Sequence, residues 1–327
     1  MEFPVLPVVL HPADEVEEHT VTSDPRDLFE VEDETAAQLA ESTPEDGLVL
    51  VHALRGFIDA GSAGELATEH LLEHFDGRRL VTFDTDQLVD YRARRPTMVF
   101  DVWRWREYDE PQLVVDWMRD AAGQPFLLMH GLEPDVQWER FAAAVRQVVE
   151  QFGVRLVMGM HGIPMGVPHT RPLGVTRHAT RRELTGPSWF GTVQVPGSAA
   201  SLLEYRLGRW GHDAGAVGVH VPHYLAQSSF PPAARTALED VEEVTGLALD
   251  PGALADASVE ALEAVDRQMA DAPEVAAVVH ALEEQYDGLA RSLGRVGLLA
   301  ESSPLPTADE IGAEFERFLA EQADPED

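Results

Sequence analysis

Cysteine is missing from the 327 residues of this chain. Disulfide bonds, thiolate nucleophiles and cysteine-ligated zinc sites are therefore excluded. Long apolar runs are missing as well, because no stretch approaches the roughly 20 residues that a membrane-spanning helix needs. The first residues place no basic segment ahead of an apolar one, so we expect no secretory signal peptide. The simplest expectation is a cytoplasmic protein with no membrane partner.

Basic side chains are scarce in this chain. It has 24 Lys and Arg residues against 58 Asp and Glu residues, which gives a formal net charge of −34. A surface this acidic repels nucleic-acid phosphates and anionic lipids, so we expect no nucleic-acid partner. Hydrophobic residues make up 44% of the chain, enough to fill a substantial core. We interpret the acidity as a solubility feature.

The usual motifs of nucleotide binding and hydrolysis are also lacking. The glycine-rich stretch Gly56–Gly64 is predicted to link a strand to a helix, but a P-loop would need lysine where the chain has Ser62. Asp59 would repel an anion at the start of that helix. A tight turn with Asp59 as helix cap is favoured, and an anion site on free backbone N–H groups is the alternative. The sequence contains no G-x-S-x-G elbow and no H-E-x-x-H zinc motif.

What is present is an alternation of short apolar runs and amphipathic segments. The runs Leu48–Leu54, Leu156–Met160 and Ala214–Val221 are typical of strands buried on both faces, and the second is predicted to break at His161–Pro164. Amphipathic helices lie between the runs. This order predicts parallel strand pairing with right-handed crossovers, as in α/β proteins.

Other segments add strands and a helix to this pattern. A hairpin is predicted from Leu113–Met118 to Phe126–His130, with a helix as the alternative for Leu113–Met118. Thr97–Arg106 is interpreted as one further strand. A helix is predicted to begin at Pro134 or Asp135, with its apolar stripe facing the core.

Composition divides the chain into an acidic N-terminal leader (1–46), an α/β core (47–247) and a helical C-terminal region (248–327). In the last region, two helices over Pro251–Ala270 and Pro273–Ser292 are predicted to form an antiparallel hairpin. A capping-box pattern at Thr307 predicts a last helix over residues 307–322.

Polar side chains cluster after the predicted strands, at the sheet edge where α/β proteins meet ligands. Six residues share this position: His161, His169, Thr170, Arg171, His223 and Tyr224. If the strand ends converge, Asp59, Glu133, His169 and Arg171 could form an acid/base set. The alternative is a buried ion pair, in which Arg171 requires an acidic partner. No carboxylate stands at recognisable ligand spacing from these histidines, so no metal is expected.

Five segments together resemble the bacterial, especially actinobacterial, branch of the proteasome assembly chaperone family of the second type. They are Gly56–Gly61, Tyr91–Pro96, Gly131–Pro134 with Trp138, Val167–Pro172 and Val221–Tyr224. The helical end, Glu283–Asp287 and Glu314–Leu319, also looks like that of the family. The resemblance implies a three-layer α/β core with a mostly parallel central sheet, similar to the purine nucleoside phosphorylase type, and a C-terminal helical appendage. It also implies homo-oligomerisation, with a trimer as one candidate, and proteasome subunits as partners.

The characterised eukaryotic members of that family are chaperones of proteasome α-ring assembly and not enzymes. Chaperone relatives dock on the proteasome through a hydrophobic-Tyr-X ending, whereas this sequence ends in Ala323–Asp327. The resemblance therefore implies a chaperone-like role without that particular docking route.

We therefore expect a non-catalytic, homo-oligomeric protein-interaction or chaperone-like protein, linked to proteasome assembly, without a cofactor. One alternative is a small-molecule binder or enzyme, of the nucleoside or nucleotide hydrolase or carboxylate–amine ligase type, with its site at the strand ends. Another is a purely structural homo-oligomer. The catalytic candidates are Asp59, His169 and Arg171. The candidate ligand or interaction loops contain Gly56, Phe57, Asp59, Gly61, Glu133, His161, His169, Thr170, Arg171, His223 and Tyr224.

Overall fold

The computed structural model describes residues 23–186, 192–270 and 273–298. The strands are β1 (Phe29–Val31), β2 (Leu48–Arg55), β3 (Gly77–Phe83), β4 (Met98–Asp101), β5 (Arg104–Tyr108), β6 (Leu113–Arg119), β7 (Pro125–Leu132), β8 (Val154–Met165), β9 (Val175–Ala179) and β10 (Ala214–Pro222). The helices are α1 (Asp33–Ala40), α2 (Ala63–His74), α3 (Thr85–Leu88), α4 (Trp138–Gln151), α5 (Ala199–Arg209), α6 (Pro231–Thr245), α7 (Ala255–Ala270) and α8 (Pro273–Leu298).

Eight strands form one sheet in the order β1-β3-β6-β7-β2-β8-β10-β9. The four strands β7, β2, β8 and β10 are mutually parallel. Antiparallel strands extend the sheet on both sides, with β6, β3 and β1 beyond β7, and β9 beyond β10. The expected mostly parallel central sheet is therefore confirmed, and the antiparallel strands at its two sides make the whole sheet mixed.

Helices cover both faces of the sheet, which confirms the three layers. On one face, α4 and α5 pack through apolar residues such as Phe141, Val145 and Leu203. On the other face, α2 and α6 pack through residues such as Leu71 and Leu238. Because both faces are covered, the central strands are apolar along nearly their whole length, and β10 is buried from end to end.

The structure corrects three expectations about single elements. The segment Thr97–Arg106 is not one strand: it contains most of a two-stranded hairpin, β4 and β5, which is separate from the main sheet. Strand β8 does not break at His161–Pro164, because it continues to Met165 beside β10. Helix α4 begins at Trp138, three residues later than the later of the two expected starts.

The expected crossover from β7 through α4 to β8 does join parallel strands, yet these strands are not neighbours. Strand β2 lies between them and pairs with both. The parallel direction follows from the strand–helix–strand order. That order does not determine whether β7 and β8 are adjacent, because β2, from much earlier in the chain, inserts between them.

Part of the predicted leader belongs to the sheet. Residues 29–31 form β1, which pairs antiparallel with β3, and Leu28 and Phe29 are buried in the core. Helix α1 follows. The division of the chain into three domains stays a prediction.

The C-terminal region begins with a short turn of 3₁₀ helix at Pro251–Leu254, then α7 and α8. Apolar residues of α7 pack on the α6 side of the core. The predicted helix over 307–322 lies outside the described residues. None of the described helices combines the length and the apolar composition that crossing a bilayer requires.

Candidate functional site

The candidate residues gather at one edge of the sheet, where the parallel strands β2, β7, β8 and β10 reach their carboxyl ends. The connection after β2 carries Gly56–Asp59, and Glu133 follows β7. The connection after β8 carries His169–Arg171, and His223 follows β10. The expected convergence of these segments is what parallel strands dictate. What the side chains do there is a separate matter.

The Asp59 side chain accepts hydrogen bonds from backbone N–H groups of two different elements, α2 and β8. Its carboxylate accepts hydrogen bonds from Gly64 N (2.9 Å) and Glu65 N (3.0 Å) in the first turn of α2, and from Gly162 N (2.9 Å) in β8. The residue therefore acts as a cap of α2 and ties that helix to β8. Burial raises the pKa of the Asp59 carboxyl, while the three backbone N–H groups act in the opposite direction.

The turn between Asp59 and α2 is also engaged by the chain itself. Gly61 has φ +69°, a conformation that favours glycine. Its N–H donates to Ala226 O (3.0 Å), and its carbonyl accepts from Phe230 N (2.9 Å). The N–H and carbonyl groups of Gly61 are therefore both hydrogen-bonded to the connection between β10 and α6.

Glu133 fastens two distant segments together. One carboxylate oxygen accepts from Phe57 N (2.9 Å) and the other from Ala199 N (2.7 Å), at the first residue of α5. The side chain is buried, and its charge lies at a helix N-terminus, where it is favoured. A Cβ atom at Gly56 would lie 1.8 Å from Glu133 Oε2, so the loop approaches this closely only because residue 56 is glycine.

His169 stands between Tyr224 and Asp266. Tyr224 Oη lies 2.7 Å from His169 Nδ1 and also accepts from His169 N at 2.9 Å, while His169 Nε2 lies 3.1 Å from Asp266 Oδ1. Burial raises the pKa of the Tyr224 hydroxyl. The His169 ring has a partner from the chain at each of its two nitrogens. These contacts fix the β8–β9 connection against α7.

Arg171 has the acidic partners that the sequence analysis expected, and they come from α8. Its Nε and Nη2 atoms donate to the two carboxylate oxygens of Asp287, both at 2.9 Å, and its Nη1 lies 3.2 Å from Glu283. Thr170 donates to Glu283 as well. The guanidinium hydrogen bond lowers the pKa of Asp287. The pair is less enclosed than expected, because the Arg171 side chain is 31% exposed.

His161 lies apart from the His169 group, because β8 continues past it. Its neighbour Met160 packs in the α2 and α6 layer, so His161 faces the α4 and α5 layer, towards His52 on β2 and His178 on β9. Loss of solvation lowers the pKa of both His52 and His161 to about 4, and the nearby His178 adds to it. His178 is paired with Glu204 at 2.9 Å, which raises its pKa.

The histidines of the described segments do not assemble a metal site. In residues 23–186, 192–270 and 273–298, no three His, Asp or Glu side chains come together in a metal-binding arrangement. His223 lies beside Tyr224, with ring centroids 5.4 Å apart, at the turn after β10. The expectation of no metal and no cofactor stays a prediction.

A cavity of about 540 Å³ opens at the same sheet edge, between α2 and the chain that enters β6. Acidic residues line it: Asp59, Glu65, Glu69, Asp109 and Glu110. His130 also lines it, with Nε2 2.9 Å from Asp116, which in turn accepts from Arg79 at 2.6 Å. Sequence reasoning missed this group, because Asp116 and His130 stand inside apolar strands with nothing local to mark them.

The hairpin of residues 98–108, which we call the arm, carries large exposed apolar side chains. Val102 is 87% exposed, Trp103 75% and Trp105 62%. Phe100 and Trp105 pack edge to face with ring centroids 5.0 Å apart, and Arg104 lies over the Trp103 ring at 5.2 Å. Sequence reasoning missed the arm as a site, because aromatic residues alternating with other types are also typical of an ordinary strand.

The sheet order, the two helical layers and the bonded strand-end residues define a three-layer α/β protein with an exposed aromatic hairpin. The model of the PAC2 family matches residues 53–269, most of the chain. The chain belongs to the PAC2 family, and its resemblance to the proteasome assembly chaperones is confirmed. No curated protein is significantly similar to the chain.

Several solved structures are similar over most of their length. A Mycobacterium tuberculosis protein of unknown function, Rv2714, is 44% identical, with 81% of this chain and 92% of that chain covered and a TM-score of 0.76. A Corynebacterium glutamicum protein of unknown function is 35% identical, with coverage of 80% and 97% and a TM-score of 0.73. The M. tuberculosis proteasome-assembly chaperone homologue Rv2125 is 25% identical, with coverage of 69% and 95% and a TM-score of 0.61.

Proposed function

We propose that this PAC2-family chain is a non-catalytic, chaperone-like protein that assembles with copies of itself and binds proteasome α-subunits through the arm. One observation carries the proposal. At a single edge of the sheet, the polar candidates bond to the chain's own backbone and helices, while the arm presents its aromatic side chains to solvent.

The strand-end residues support a structural role for the site. Both oxygens of Glu133 accept backbone N–H groups, and Asp59 accepts three. A carboxylate that acts as a general base must reach a substrate proton within hydrogen-bond distance. Freeing either carboxylate would leave buried backbone donors without partners, which is costly. The bonded residues therefore favour a rigid scaffold for the loops.

The arm supports a docking role. Trp and Arg are the residue types that contribute most to protein–protein binding, and the arm exposes both. Its turn is strained, because the β-branched Val102 has φ +55°, a conformation that such residues rarely adopt. Strain of this kind persists at positions where presenting a side chain matters. Protein binding is a use that fits a strained, exposed, aromatic tip.

The relatives support proteasome subunits as the partner. Rv2125, which matches 69% of this chain, is described as a proteasome-assembly chaperone homologue. Relatives from mycobacteria and corynebacteria support a place for this chain in the actinobacterial branch. We place the protein in the cytoplasm, and we propose a trimer as the first oligomer to test.

The proposal is tested by measuring association of the purified full chain. Native mass spectrometry gives the oligomeric state, and titration with purified proteasome α-subunits gives the affinity. Trp103→Ser combined with Trp105→Ser is expected to weaken α-subunit binding at least tenfold. Val259→Ser, at an exposed valine of α7, is the matched control and is expected to bind as the natural chain does.

Two outcomes would overturn the proposal. One is a strictly monomeric chain that does not bind α-subunits. The other is turnover of a metabolite that is abolished by His169 or Arg171 substitutions in a folded protein. Either result would move the chain to another functional class.

The acidic cavity favours a second candidate, a small-molecule binder or enzyme. Its volume of about 540 Å³ is in the range of ligand pockets, and His130, which is paired with Asp116, lines it. Its five carboxylates would repel phosphate groups, which argues against nucleotides and favours a cationic ligand. Thermal-shift measurements with amines and nucleosides separate these cases, since a ligand at 100 times its Kd adds about 2.7 kcal/mol.

A further inference from the structure

The arm is an apolar surface that the described chain leaves uncovered. Its strands β4 and β5 pair with each other and with no strand of the main sheet. Side chains of this size in water lose the stabilisation that burial would give. The surface therefore fits an occupant that offers both an apolar stripe and matching charge.

The segment that contains the arm is more basic than the rest of the chain, and the acidic residues Asp90, Asp109 and Glu110 flank it directly. Residues 91–108 carry five of the chain's 24 basic residues and two carboxylates, which gives this segment a net charge of +3 in a chain of −34. Arg92, Arg95, Arg104 and Arg106 are exposed there. The occupant that complements this segment is acidic.

The C-terminal sequence of the same chain has both properties. Residues 299–327 contain nine carboxylates and one arginine, which gives a net charge of −8. The large apolar residues within 307–322 are Ile311, Phe315, Phe318 and Leu319, and Leu299 and Leu305 precede them. This spacing puts all four on one stripe when the segment is helical. We propose that the chain's own residues 299–327 bind the arm, with the apolar stripe on its aromatic side chains and the carboxylates beside its arginines.

The length of the chain allows this contact within one molecule. The arm leads into β6, three strand spacings or about 15 Å from β8. Asp287 is fixed to the connection after β8, and Leu298 lies 11 residues further along α8, or about 17 Å. The eight residues 299–306 reach about 27 Å when extended. If α8 points away from the arm, the distance exceeds the reach of residues 299–306, and the residues after 306 span the difference.

This contact would make binding of a partner conditional. Resting on the proposed function, it implies that residues 299–327 compete with the α-subunit for the same aromatic side chains. An α-subunit must displace the segment before it binds, so its apparent affinity equals the intrinsic affinity multiplied by the fraction of chains in which the arm is free. The segment therefore acts as an internal competitor.

The absence of cysteine makes a direct test possible. Val102→Cys at the tip of the arm is combined with Gly312→Cys, which leaves all four apolar residues of the segment in place. Under mild oxidation of the full chain, we expect most molecules to form an intramolecular disulfide, seen as a faster-migrating monomer in a non-reducing gel. The fraction should not change on tenfold dilution, and Arg104→Glu with Arg106→Glu should reduce it severalfold.

The matched control joins Gly312→Cys with Val259→Cys, an exposed position of α7. Equal disulfide yields for the two pairs would overturn the proposal, and so would disulfides that form only between copies. Phe315→Ser with Phe318→Ser is expected to tighten α-subunit binding about fivefold or more. The disulfide test does not require an α-subunit, so its failure can be told apart from a failure of the proposed function.

Discussion

The strand-end loops and the arm lie at the same edge of the sheet, yet they place their side chains in opposite ways. In the loops, Asp59, Glu133 and Arg171 have the residue types of a catalytic site, but their polar atoms bond to the chain itself. In the arm, Trp103 and Trp105 have the residue type of a core, but they face solvent. Residue type alone therefore does not distinguish the two regions, whereas the partners of each side chain do.

The largest expected effect on stability concerns the strand-end loops, whose polar side chains are hydrogen-bonded within the chain. Glu133→Ala leaves the N–H groups of Phe57 and Ala199 without their charged acceptor. Since hydrogen bonds to charged groups contribute about 1.5–3 kcal/mol each, the free energy of unfolding should fall by about 3–5 kcal/mol in urea denaturation. Glu69→Ala, at an exposed residue of α2, should change it by less than about 0.5 kcal/mol. Similar values for both variants would contradict the structural role of Glu133.

The next effect is a pH dependence of the unfolding free energy, and it concerns the buried His52. Because the pKa of His52 is lowered to about 4 in the folded chain, the unfolded chain takes up a proton first as pH falls below about 6.5. Stability is then lost between about pH 6.5 and pH 4, by roughly 3 kcal/mol for this imidazole.

His52→Gln should therefore flatten the dependence of the unfolding free energy on pH in that window. His280→Gln, at an exposed residue of α8, should leave the dependence unchanged. An unaltered slope in the His52 variant would show that this imidazole takes up its proton equally in both states.

A smaller effect is expected at Arg171, whose ion pairs are open to solvent. Ion pairs of this kind contribute little to global stability. Arg171→Ala should leave the unfolding midpoint unchanged and should speed amide exchange in α8 around Glu283 and Asp287 severalfold. Arg235→Ala, which removes an exposed pair within α6, should not alter exchange in α8. A cooperative loss of the whole fold would instead indicate a buried pair.

The smallest effect on stability should come from the arm. Trp103→Ser with Trp105→Ser removes side chains that lie outside the core of the described residues, so the unfolding free energy should change by no more than about 0.5 kcal/mol. Thermal unfolding measured beside the α-subunit titration checks this directly. A marked loss of stability would mean that the two tryptophans belong to the core, and the comparison with the loops would fail.

Sequence periodicity was sufficient for the centre of the fold. Strand β10 is an uninterrupted apolar run because helices cover both its faces, and α4 shows its buried stripe through Phe141, Val145 and Val148. Arg171 was expected to have an acidic partner, and it has two. These features depend on burial, which composition and spacing express directly.

Two errors came from local signals that the fold overrides. Pro164 predicted a break in β8, but beyond Gly159 only β10 pairs with that strand, so the other side has no ladder bonds for a proline to interrupt. The arm was interpreted as one strand because its turn lacks the Asn-Gly or Asp-Gly pair typical of hairpins and uses Val102 instead. The mutual bonding of the strand-end residues depends on contacts between distant segments, which local patterns do not encode.

Strand β1 has a protective consequence for the whole protein. It is only three residues long, yet it occupies the free backbone of β3 at one border of the sheet. An unoccupied border strand offers its N–H and carbonyl groups to any other extended chain, which is a common route to aggregation. Shortened versions of this protein that begin after Val31 should therefore be prone to fibril-like self-association. Recombinant versions should retain strand β1.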